Sequence, residues 1–398
     1  MSTFKDRSAI VGMGCTSFGD LWTKSTDDLL LEASTAALDS AGLSIGDIDA
    51  FWLGTTRSGS SGLALSRPLK IVNKPVTRVE NYCATGSEAL RGAAYAVASG
   101  AVNIAMAIGV EKLKDSPHAG LVASSVFDDG TTMDTTAPAL FGALVDAYQT
   151  KYGLDDQTMR EVLTHIAWKN HDNGARNPRA QFRKSVAKET ISAAPVVAGK
   201  LRLFDCSGMA DGAAAAIVVR TEDAERFTDR PLYIKALEVA AGPGGGAVKP
   251  DADLTSFPEV VASVKRAYAC AGIDRPAEQL AVAEVHDCFT PTELVLMEDL
   301  GFAERGKGWR DVLDGRFDAG GDLPVNVDGG LKAFGHPVGA SGLRMIYECW
   351  LQLRGEANER QIADIGVGTQ RTRALTQNLG GPPGDCVSFV SILGVERG

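Results

Sequence analysis

The pattern of hydrophobic positions predicts strands and helices in alternation along most of the chain. Unbroken apolar runs such as SAIVGMG near the N-terminus and AAAAIVV at 213–219 are typical of buried strands in a sheet covered on both faces. The most hydrophobic stretch, 92–110, is interrupted by Ser99, Gly100 and Asn103. It is therefore predicted to be the end of a helix followed by a buried strand, and not a membrane span. The pattern predicts an α/β protein.

Two pairs of segments repeat each other faintly. Residues 32–55 and 262–290 both read as a helix, an Ala-Gly turn, a short linker and a strand. Residues 81–111 and 335–369 both read as a glycine-bearing turn, a long helix, a loop and an apolar strand. Self-similarity over units of this size indicates a repeated architecture, so the sequence predicts a duplicated α/β domain.

The duplication divides the chain into an N-terminal half, residues 1–225, and a C-terminal half, residues 226–398. The stretch from about 112 to 200 has no counterpart in the second half and is richer in polar residues, proline and glycine. It contains at least two helical patterns, which a structureless loop would not contain. We expect an inserted domain that folds over one face of the duplicated halves.

Composition and charge narrow the classes of partner. The 398-residue chain is 44% hydrophobic and 23% charged, which is typical of soluble globular α/β proteins. Its net charge of −10 would repel nucleic acid and anionic membranes, so we expect neither as a partner. Seven cysteines without CxxC spacing fit neither a disulfide framework nor a zinc ribbon, and the N-terminal segment lacks the pattern of a signal peptide. These features predict a cytoplasmic protein.

Cys83 is the first candidate for chemistry. It lies in NYCATGSEAL, directly after a strand-like segment and at the start of an alanine-rich helix. A lone cysteine is more often a small buried apolar residue. At a helix N-terminus, however, unpaired backbone N–H groups favour the thiolate and are able to hold a developing oxyanion. We therefore interpret Cys83 as a nucleophile.

His336 occupies the matching turn of the second copy, in GGLKAFGHPVGASG. Matching turns of a pseudo-twofold duplicate tend to face one another. A neutral imidazole at this place would take the Cys83 proton and later donate a hydrogen bond to a substrate oxygen. The neighbouring glycines, Gly335, Gly339 and Gly342, allow the backbone to approach a ligand closely.

A third cluster lies in EVHDCFTPTEL, between a predicted strand and a predicted helix. The strand period of two places His286 and Cys288 on one side. A metal site is a weaker interpretation, because three adjacent residues cannot all face one ion and the sequence has no CxxC or HxxxH partner. We expect no metal.

These motifs together resemble the thiolase family, specifically its sterol-carrier-protein type and the archaeal and bacterial relatives. The resemblance runs nearly the whole length and rests on NYCATGSEAL, MADGAAAAIVV, EVHDCFTPTEL, NVDGGLKAFGHPVGASG and the tail QNLGG. It implies the thiolase fold, in which two duplicated α/β halves form five αβαβα layers with an inserted loop domain. It also implies an acetyl-CoA C-acyltransferase that condenses acyl-CoA or cleaves 3-oxoacyl-CoA, with a coenzyme A thioester as substrate and no separate cofactor.

The resemblance implies roles for four positions. Cys83 matches the nucleophile that carries the acyl group. His336 matches the histidine that activates the nucleophile and helps to form the first oxyanion hole. His286 stands where other thiolases have the asparagine of NEAF, and it resembles the second donor of that hole. The backbone N–H of Gly380, with that of Cys83, resembles the second oxyanion hole.

Asn378 departs from the family pattern, since most thiolases have their second catalytic cysteine at this place in a CxG motif. In the sterol-carrier-protein type the acid/base cysteine is that of HDCF, which is Cys288 in this chain. The resemblance therefore implies that Cys288 moves the α-proton and that the chain keeps two reactive thiols.

The remaining cysteines and histidines are interpreted as structural. We expect core positions for Cys15, Cys206, Cys270, Cys349 and Cys386. Within the insertion, we expect surface or cap positions for His118, His165 and His171.

Three alternatives stay open at this stage. A decarboxylative ketoacyl synthase shares the duplicated fold and uses one cysteine with two histidines, but it would leave Cys288 idle. A thiolase-like acyltransferase acting on a non-CoA acceptor in a multi-subunit complex is a neighbouring option, and a catalytically silent scaffold is the third.

The resemblance also implies a homodimer or tetramer. Archaeal-type relatives bind a small partner protein that contains zinc and an OB-fold. The acyl chain and the direction of the reaction are not determined by these motifs.

Overall fold

The computed structural model describes residues 4–115, 122–126, 132–244 and 252–397. Its strands are β1 Ser8–Cys15, β2 Ala50–Gly54, β3 Val76–Val79, β4 Ile104–Glu111, β5 Val122–Val126, β6 Thr132–Thr136, β7 Val196–Ala198, β8 Leu201–Arg202, β9 Gly212–Arg220, β10 Leu232–Ala241, β11 Val282–Val285, β12 Arg373–Gly380 and β13 Val387–Gly394. Its α-helices are α1 Thr26–Ala41, α2 Leu63–Leu69, α3 Thr85–Ala98, α4 Ala137–Tyr152, α5 Asp156–Ala175, α6 Lys188–Ser192, α7 Pro258–Ala271, α8 Pro276–Gln279, α9 Thr290–Asp299, α10 Gly308–Leu313, α11 Gly330–Phe334 and α12 Ser341–Arg354.

The main sheet has the strand order β11-β12-β13-β10-β1-β9-β4-β2-β3. Its two halves meet only where β1 pairs with β10, through Ala9 with Tyr233 and Ile10 with Leu232. On each side of this join four strands have the same order and directions, and the N-terminal half adds β3 as a fifth strand at its edge. β1, β9 and β4 run antiparallel to their neighbours and β4 pairs in parallel with β2, just as β10, β13 and β12 run antiparallel and β12 pairs in parallel with β11. The sheet therefore shows the internal duplication directly.

Three apolar cores lie between five layers, and the central core fills both boundaries of the middle helix layer. Helix α1 packs on β1 and β9 around residues such as Leu29 and Val219. Helices α3 and α12 lie against each other between the two sheet halves, with Leu90 and Ile346 in their shared core. Helix α7 covers β10 and β13 on the far side. The order helix, sheet, helix, sheet, helix confirms the predicted five-layered arrangement. None of the helices in the described ranges is long and apolar enough to cross a membrane.

The Ala-Gly turns of the sequence repeat end the outer helices. Gly42 follows α1 with a φ of 65°, and Gly272 follows α7 with a φ of 70°. This left-handed conformation is strained for residues with a Cβ and lets the last turn of the helix close its hydrogen bonds. The same capping chemistry at both places explains why the repeat is visible in the sequence.

The helices described between β4 and β9 pack on the C-terminal half. Helix α5 contacts α9, α10 and α11, and α4 contacts α9. Because α9 follows the HDCF motif and α11 precedes His336, this segment lies against both motifs of the second half.

Two histidines of this segment are buried. His165 is 7% exposed and His171 is 5% exposed, so the expectation of surface or cap positions is wrong for both. The His165 Nε2 lies 3.0 Å from the Asp318 carboxylate, and the His171 ring packs edge-on against Phe204. Burial lowers the pKa of His171 to about 3. Helix α5 carries polar residues on the face that other helices cover, which its local pattern does not reveal. His118 lies outside the described residues.

The cysteines expected in the core divide into two groups. Cys15, Cys349 and Cys386 are buried, as expected. Cys206 and Cys270 are only half-buried, so the expectation of a full core position is wrong for them. None of the seven cysteines, all of which lie in the described ranges, is part of a disulfide.

The N-termini of α3 and α12 touch through glycines. A Cβ on Gly342 would lie 2.2 Å from the Ser87 Oγ and 2.6 Å from the Asn378 Oδ1, and a Cβ on Gly86 would lie 2.9 Å from the carbonyl oxygen of Gly339. No side chain fits at such distances, so the contact requires glycine. The matching turns of the two halves therefore face one another.

Replacing Gly342 with alanine is expected to destabilise the protein by about 1–3 kcal/mol, because the added methyl group overpacks the contact between the two helices. Urea unfolding measures this free energy. Gly320→Ala is the matched control, since a Cβ there meets no described atom within 4 Å and the backbone is not left-handed. Equal unfolding midpoints for the two variants would contradict the close contact.

Candidate active site

Cys83 lies in a tight turn between β3 and α3. Tyr82, directly before it, has a φ of 50°, a left-handed conformation that is uncommon for a residue with a side chain. Thr85 holds the turn, because its Oγ1 accepts a hydrogen bond from the backbone N–H of Asn81 at 2.8 Å and donates one to the carbonyl of Tyr82. The turn presents the thiol at the N-terminal end of α3, as the sequence predicts.

The structure brings three of the candidate residues together. The Cys83 Sγ and one ring nitrogen each from His286 and His336 lie within 4.8 Å of one another. The two imidazole rings are edge-to-face, with centroids 5.4 Å apart. Both histidines are buried, whereas Cys83 is half-buried. Cys83 is more than two hundred positions before either histidine in the chain, and the facing turns of the two halves place the three residues in one pocket.

His336 has one ring nitrogen in a hydrogen bond and one free. Its Nδ1 lies 2.7 Å from the Ser341 Oγ, and that hydroxyl donates its own proton to the carbonyl of Pro337. Ser341 therefore accepts from the Nδ1–H, which leaves the Nε2 without a proton. The Nε2 is buried and has no hydrogen-bond partner among the described residues. Burial, with a smaller contribution from Arg344, lowers the pKa of His336 to about 3, so the ring is a neutral base.

His286 is also neutral. Burial lowers its pKa well below the ordinary value, and His336 and Arg344 lower it further. Its Nδ1 lies 3.1 Å from the side-chain amide nitrogen of Asn378. Both imidazoles are therefore uncharged, and neither carries a positive charge before a negative charge develops on a substrate.

The Cys83 thiol is protonated at rest. Burial, with smaller contributions from the carboxylates of Glu111 and Glu80, raises its pKa to about 12. Glu111 is fully buried and accepts hydrogen bonds from the loop after β2, from Thr55, Thr56, Arg57 and Ser58. The expectation that the helix start favours the thiolate is therefore wrong for the resting protein, because desolvation and a nearby carboxylate outweigh the helix dipole.

Cys288 follows β11 and is buried in the same pocket. Its Sγ lies 3.8 Å from the Thr292 Oγ1. Burial raises its pKa well above the ordinary value, and the next contribution comes from Cys83, which places the two sulfur atoms within electrostatic reach of each other. Cys288 is not part of the 4.8 Å trio, so the pocket contains an inner group of three and a second thiol beside it.

Gly380 ends β12 against the turn that carries Cys83. A Cβ on Gly380 would lie 2.3 Å from the carbonyl oxygen of Asn81 and 3.2 Å from the amide nitrogen of Ala84. The backbone of Gly380 is therefore adjacent to that of Cys83, which is the juxtaposition that a pair of backbone donors requires.

Several residues that position the pocket were not identified from the sequence. Asp287 points away from the trio and accepts hydrogen bonds from the Leu331 amide at 2.6 Å and from the Asn170 side chain at 2.8 Å, so it ties the HDCF turn to α11. Ser341 sets the His336 ring as described above. The signal for such residues is weak, because a polar residue inside a motif does not show which way it points.

A buried ionic cluster supports the same region. The Arg344 Nη1 lies 2.7 Å from the Glu284 carboxylate and 2.5 Å from the Asp328 carboxylate, and all three side chains are fully buried. The cluster connects β11, α12 and the loop before α11, which carry or border both histidines. Its sequence signal is a charged residue within the apolar strand AVAEV and another within an apolar helix.

The trio also consists of ligand types that Zn²⁺ prefers, namely one thiol and two imidazoles. Zinc binding would need Cys83 as a thiolate, against the raised pKa of this thiol. That the site binds no metal stays a prediction, and elemental analysis of the purified protein tests it by measuring the metal content.

Alkylation of Cys83 by iodoacetamide is expected to accelerate about tenfold per pH unit between about pH 7 and pH 10, without a plateau, because only the thiolate reacts and the pKa is raised. Peptide mass spectrometry separates the Cys83 adduct from adducts at other thiols, and Cys83→Ala provides the blank. A rate that levels off below about pH 8 would instead show a thiolate–imidazolium pair formed in the resting protein.

Comparison with known proteins identifies the family. Residues 8–222 match the model of the thiolase N-terminal domain, and residues 245–392 match the model of the thiolase C-terminal domain-like family. The chain is 38% identical over 386 residues to the acetyl-CoA acetyltransferase of Methanothermobacter thermautotrophicus, covering 94% of this chain and 97% of that protein. It is 30% identical over 402 residues to sterol carrier protein 2 of Bos taurus, covering 95% of this chain and 71% of that protein.

Solved structures show the same fold. The Ltp2-ChsH2(DUF35) aldolase matches with a TM-score of 0.81 and 26% identity over 100% of both chains. The acetyl-CoA acetyltransferase from Syntrophomonas wolfei matches with a TM-score of 0.72 and 19% identity, over 98% of this chain and 100% of that one. The chain belongs to the thiolase family. It is an enzyme of the acyltransferase class.

Proposed function

We propose that this enzyme is an acetyl-CoA C-acyltransferase, which joins two acyl-CoA thioesters by Claisen condensation or cleaves a 3-oxoacyl-CoA by the reverse thiolysis. One observation carries the proposal: the half-buried Cys83 thiol lies in a trio with the buried His286 and His336, and the Nε2 of His336 has no proton and no partner among the described residues. A thiol beside an unoccupied neutral base is the arrangement that nucleophilic acyl transfer needs. The two archaeal acetyl-CoA acetyltransferases, 38% and 36% identical to this chain, support the choice of substrate.

In the first half-reaction, the Nε2 of His336 takes the Cys83 proton as the sulfur attacks the thioester carbonyl. The backbone N–H groups of Cys83 and Gly380 hold the resulting oxyanion. When the tetrahedral intermediate collapses, the bond to the coenzyme A sulfur breaks and an acyl group stays on Cys83. Cys288 is a thiol at rest, so it gives its proton to the departing coenzyme A thiolate.

In the second half-reaction, the Cys288 thiolate removes the α-proton of a second acyl thioester. Its pKa is raised by burial, which makes it a stronger base than an exposed thiolate. His286 and the now protonated His336 donate hydrogen bonds to the enolate oxygen. The enolate carbon attacks the acyl group, the bond to Cys83 breaks, and His336 returns its proton to the Cys83 sulfur. Both thiols and both imidazoles then regain their starting protonation states.

Separate substitutions of the two thiols test this division of roles. Cys83→Ala is expected to abolish the acyl adduct that intact-protein mass spectrometry detects after incubation with acetyl-CoA. Cys288→Ala is expected to keep the adduct, formed more slowly without the proton that Cys288 supplies, because Cys83 and His336 are intact, but to lose exchange of the acetyl α-protons in heavy water. Each assay reads one half-reaction, so only Cys288→Ala is expected to form the adduct without the exchange.

Cys270→Ala is the matched control, since Cys270 is a half-buried thiol on α7, outside the pocket. In this variant, the amount of Cys83 acyl adduct and the rate of α-proton exchange are expected to equal those of the unmodified enzyme. Full condensation activity in Cys288→Ala would contradict the role of Cys288, and an adduct that persists in Cys83→Ala would contradict the nucleophile.

The similarity to a solved aldolase favours a second candidate, a retro-aldol cleavage of a 3-hydroxyacyl thioester. Such a cleavage needs a base and an oxyanion hole but no acyl-enzyme. Carbon–carbon cleavage that survives in Cys83→Ala would favour it over the thiolase reaction. A ketoacyl synthase would instead release carbon dioxide from a malonyl thioester. Carbon dioxide release by the purified enzyme tests this alternative.

We infer further that the enzyme works as a homodimer or tetramer. Strand β3 is at the edge of the main sheet, where no strand of the described ranges pairs with its outer side, and the neighbouring Leu63, Val72 and Tyr82 are 75%, 72% and 60% exposed. An unpaired edge flanked by apolar side chains is a template for pairing with another chain. Light scattering on the purified protein is expected to give the mass of at least two chains, and the mass of one chain would contradict the proposal.

We also propose a cellular compartment and a partner protein for this enzyme. Seven cysteines without a disulfide among the described residues support a reducing, cytoplasmic compartment. A small zinc and OB-fold protein is proposed as a partner, supported by the structural relative that is described as an Ltp2-ChsH2(DUF35) aldolase. Coenzyme A enters as part of the substrate, and no separate cofactor is proposed.

A further inference from the structure

Asn378 lies beside the trio, although its position in the chain first suggested only a lost thiol. It is fully buried near the end of β12. Its side-chain amide nitrogen lies 3.1 Å from the Nδ1 of His286, and its side-chain oxygen lies 3.1 Å from the Ser87 Oγ. Ser87 is itself fully buried on the first turn of α3.

The two contacts of Asn378 set the direction of the hydrogen bond to His286. The Ser87 hydroxyl donates to the Asn378 carbonyl oxygen, so the amide NH₂ group faces the imidazole. An NH₂ group only donates, and the Nδ1 of His286 must therefore accept. A neutral imidazole carries a single proton, so in His286 this proton is on the Nε2.

We propose that Asn378 is a positioning residue that holds His286 as the Nε2–H tautomer, so that the ring donates a hydrogen bond to the enolate oxygen of the substrate. The inference rests on the proposed function and deepens it. Without Asn378, the proton of a buried neutral imidazole is free to move to the Nδ1. The Nε2 would then present a lone pair to the developing negative charge in place of a donor.

The two histidines are thereby set in opposite tautomers. Ser341 accepts from the Nδ1–H of His336 and leaves an Nε2 that takes a proton, whereas Asn378 donates to the Nδ1 of His286 and leaves an Nε2 that gives a hydrogen bond. One ring starts the reaction as a base and the other as a donor. Rings that are only 5.4 Å apart therefore have different roles because their outer partners differ.

Asn378→Asp tests the inference with almost no change of shape. A carboxylate only accepts, so it forces the proton of His286 onto the Nδ1 and removes the donor from the pocket. The α-proton exchange of acetyl-CoA and the condensation rate are expected to fall about 10²–10³-fold, as for the loss of one oxyanion donor. Formation of the Cys83 acyl adduct is expected to change by less than about tenfold, because His286 does not act in that step.

Two further measurements separate positioning from a structural effect. In a His286→Ala background, Asn378→Asp is expected to reduce exchange by no more than about twofold, since the two substitutions remove the same interaction. Imidazole ¹⁵N and ¹³C NMR of the unsubstituted enzyme is expected to show the Nε2–H tautomer for His286. This second measurement does not depend on any variant folding.

Gln377→Glu is the matched control, because it makes the same amide-to-carboxylate change one residue away on the strand, where the side chain contacts Ser388. It is expected to keep both half-reactions. An Nδ1–H tautomer in the unsubstituted enzyme, an equal loss of adduct and exchange in Asn378→Asp, or an undiminished effect in the His286→Ala background would each overturn the inference. Absence of a Cys83 adduct in the unsubstituted enzyme would instead overturn the proposed function.

Discussion

The contact between the N-termini of α3 and α12 is the constraint on which the rest of the site depends. Gly86 and Gly342 lack side chains at the point where the helices meet, and a Cβ on Gly342 would lie 2.2 Å from the Ser87 Oγ. One helix start carries the nucleophile and the other follows the turn with the imidazole base. Because the halves are joined across β1 and β10 with matching strand orders, the two turns meet at the centre of the molecule, and their approach defines the pocket.

Burial at this centre determines the chemistry of the resting enzyme. It raises the pKa of Cys83 to about 12 and lowers that of His336 to about 3, so both groups are uncharged before substrate binds. Charge then develops only as the reaction proceeds, in a place where fixed N–H groups are worth more than in water. Glu111 adds to this effect from the side of β4, because its buried carboxylate opposes a thiolate at Cys83.

The polar groups around the pocket act through the residues that they hold. Asp287 ties the HDCF turn to α11, and the Arg344 cluster connects β11 with α12. Breaking one partner of such a buried cluster leaves an uncompensated charge and costs about 3–5 kcal/mol. Thiolase-fold relatives include an aldolase as well as acetyltransferases, so the fold alone does not decide the reaction. In our proposal, the thiols and the tautomers of the imidazoles decide it.

The sequence by itself determined the alternating elements, the duplication, the helix start at Cys83 and, through its family resemblance, the residues of the trio. The elements and the helix start are local features, since periodicity and capping act within a few residues along the chain. The duplication and the trio follow from comparing separate segments and motifs of the sequence. The protonation state of Cys83, the burial of His165 and His171 and the partnership of Asn378 with His286 were decided only by the tertiary structure. Each depends on desolvation or contact by elements far apart in the chain, as for Asn378 and His286, which are 92 residues apart.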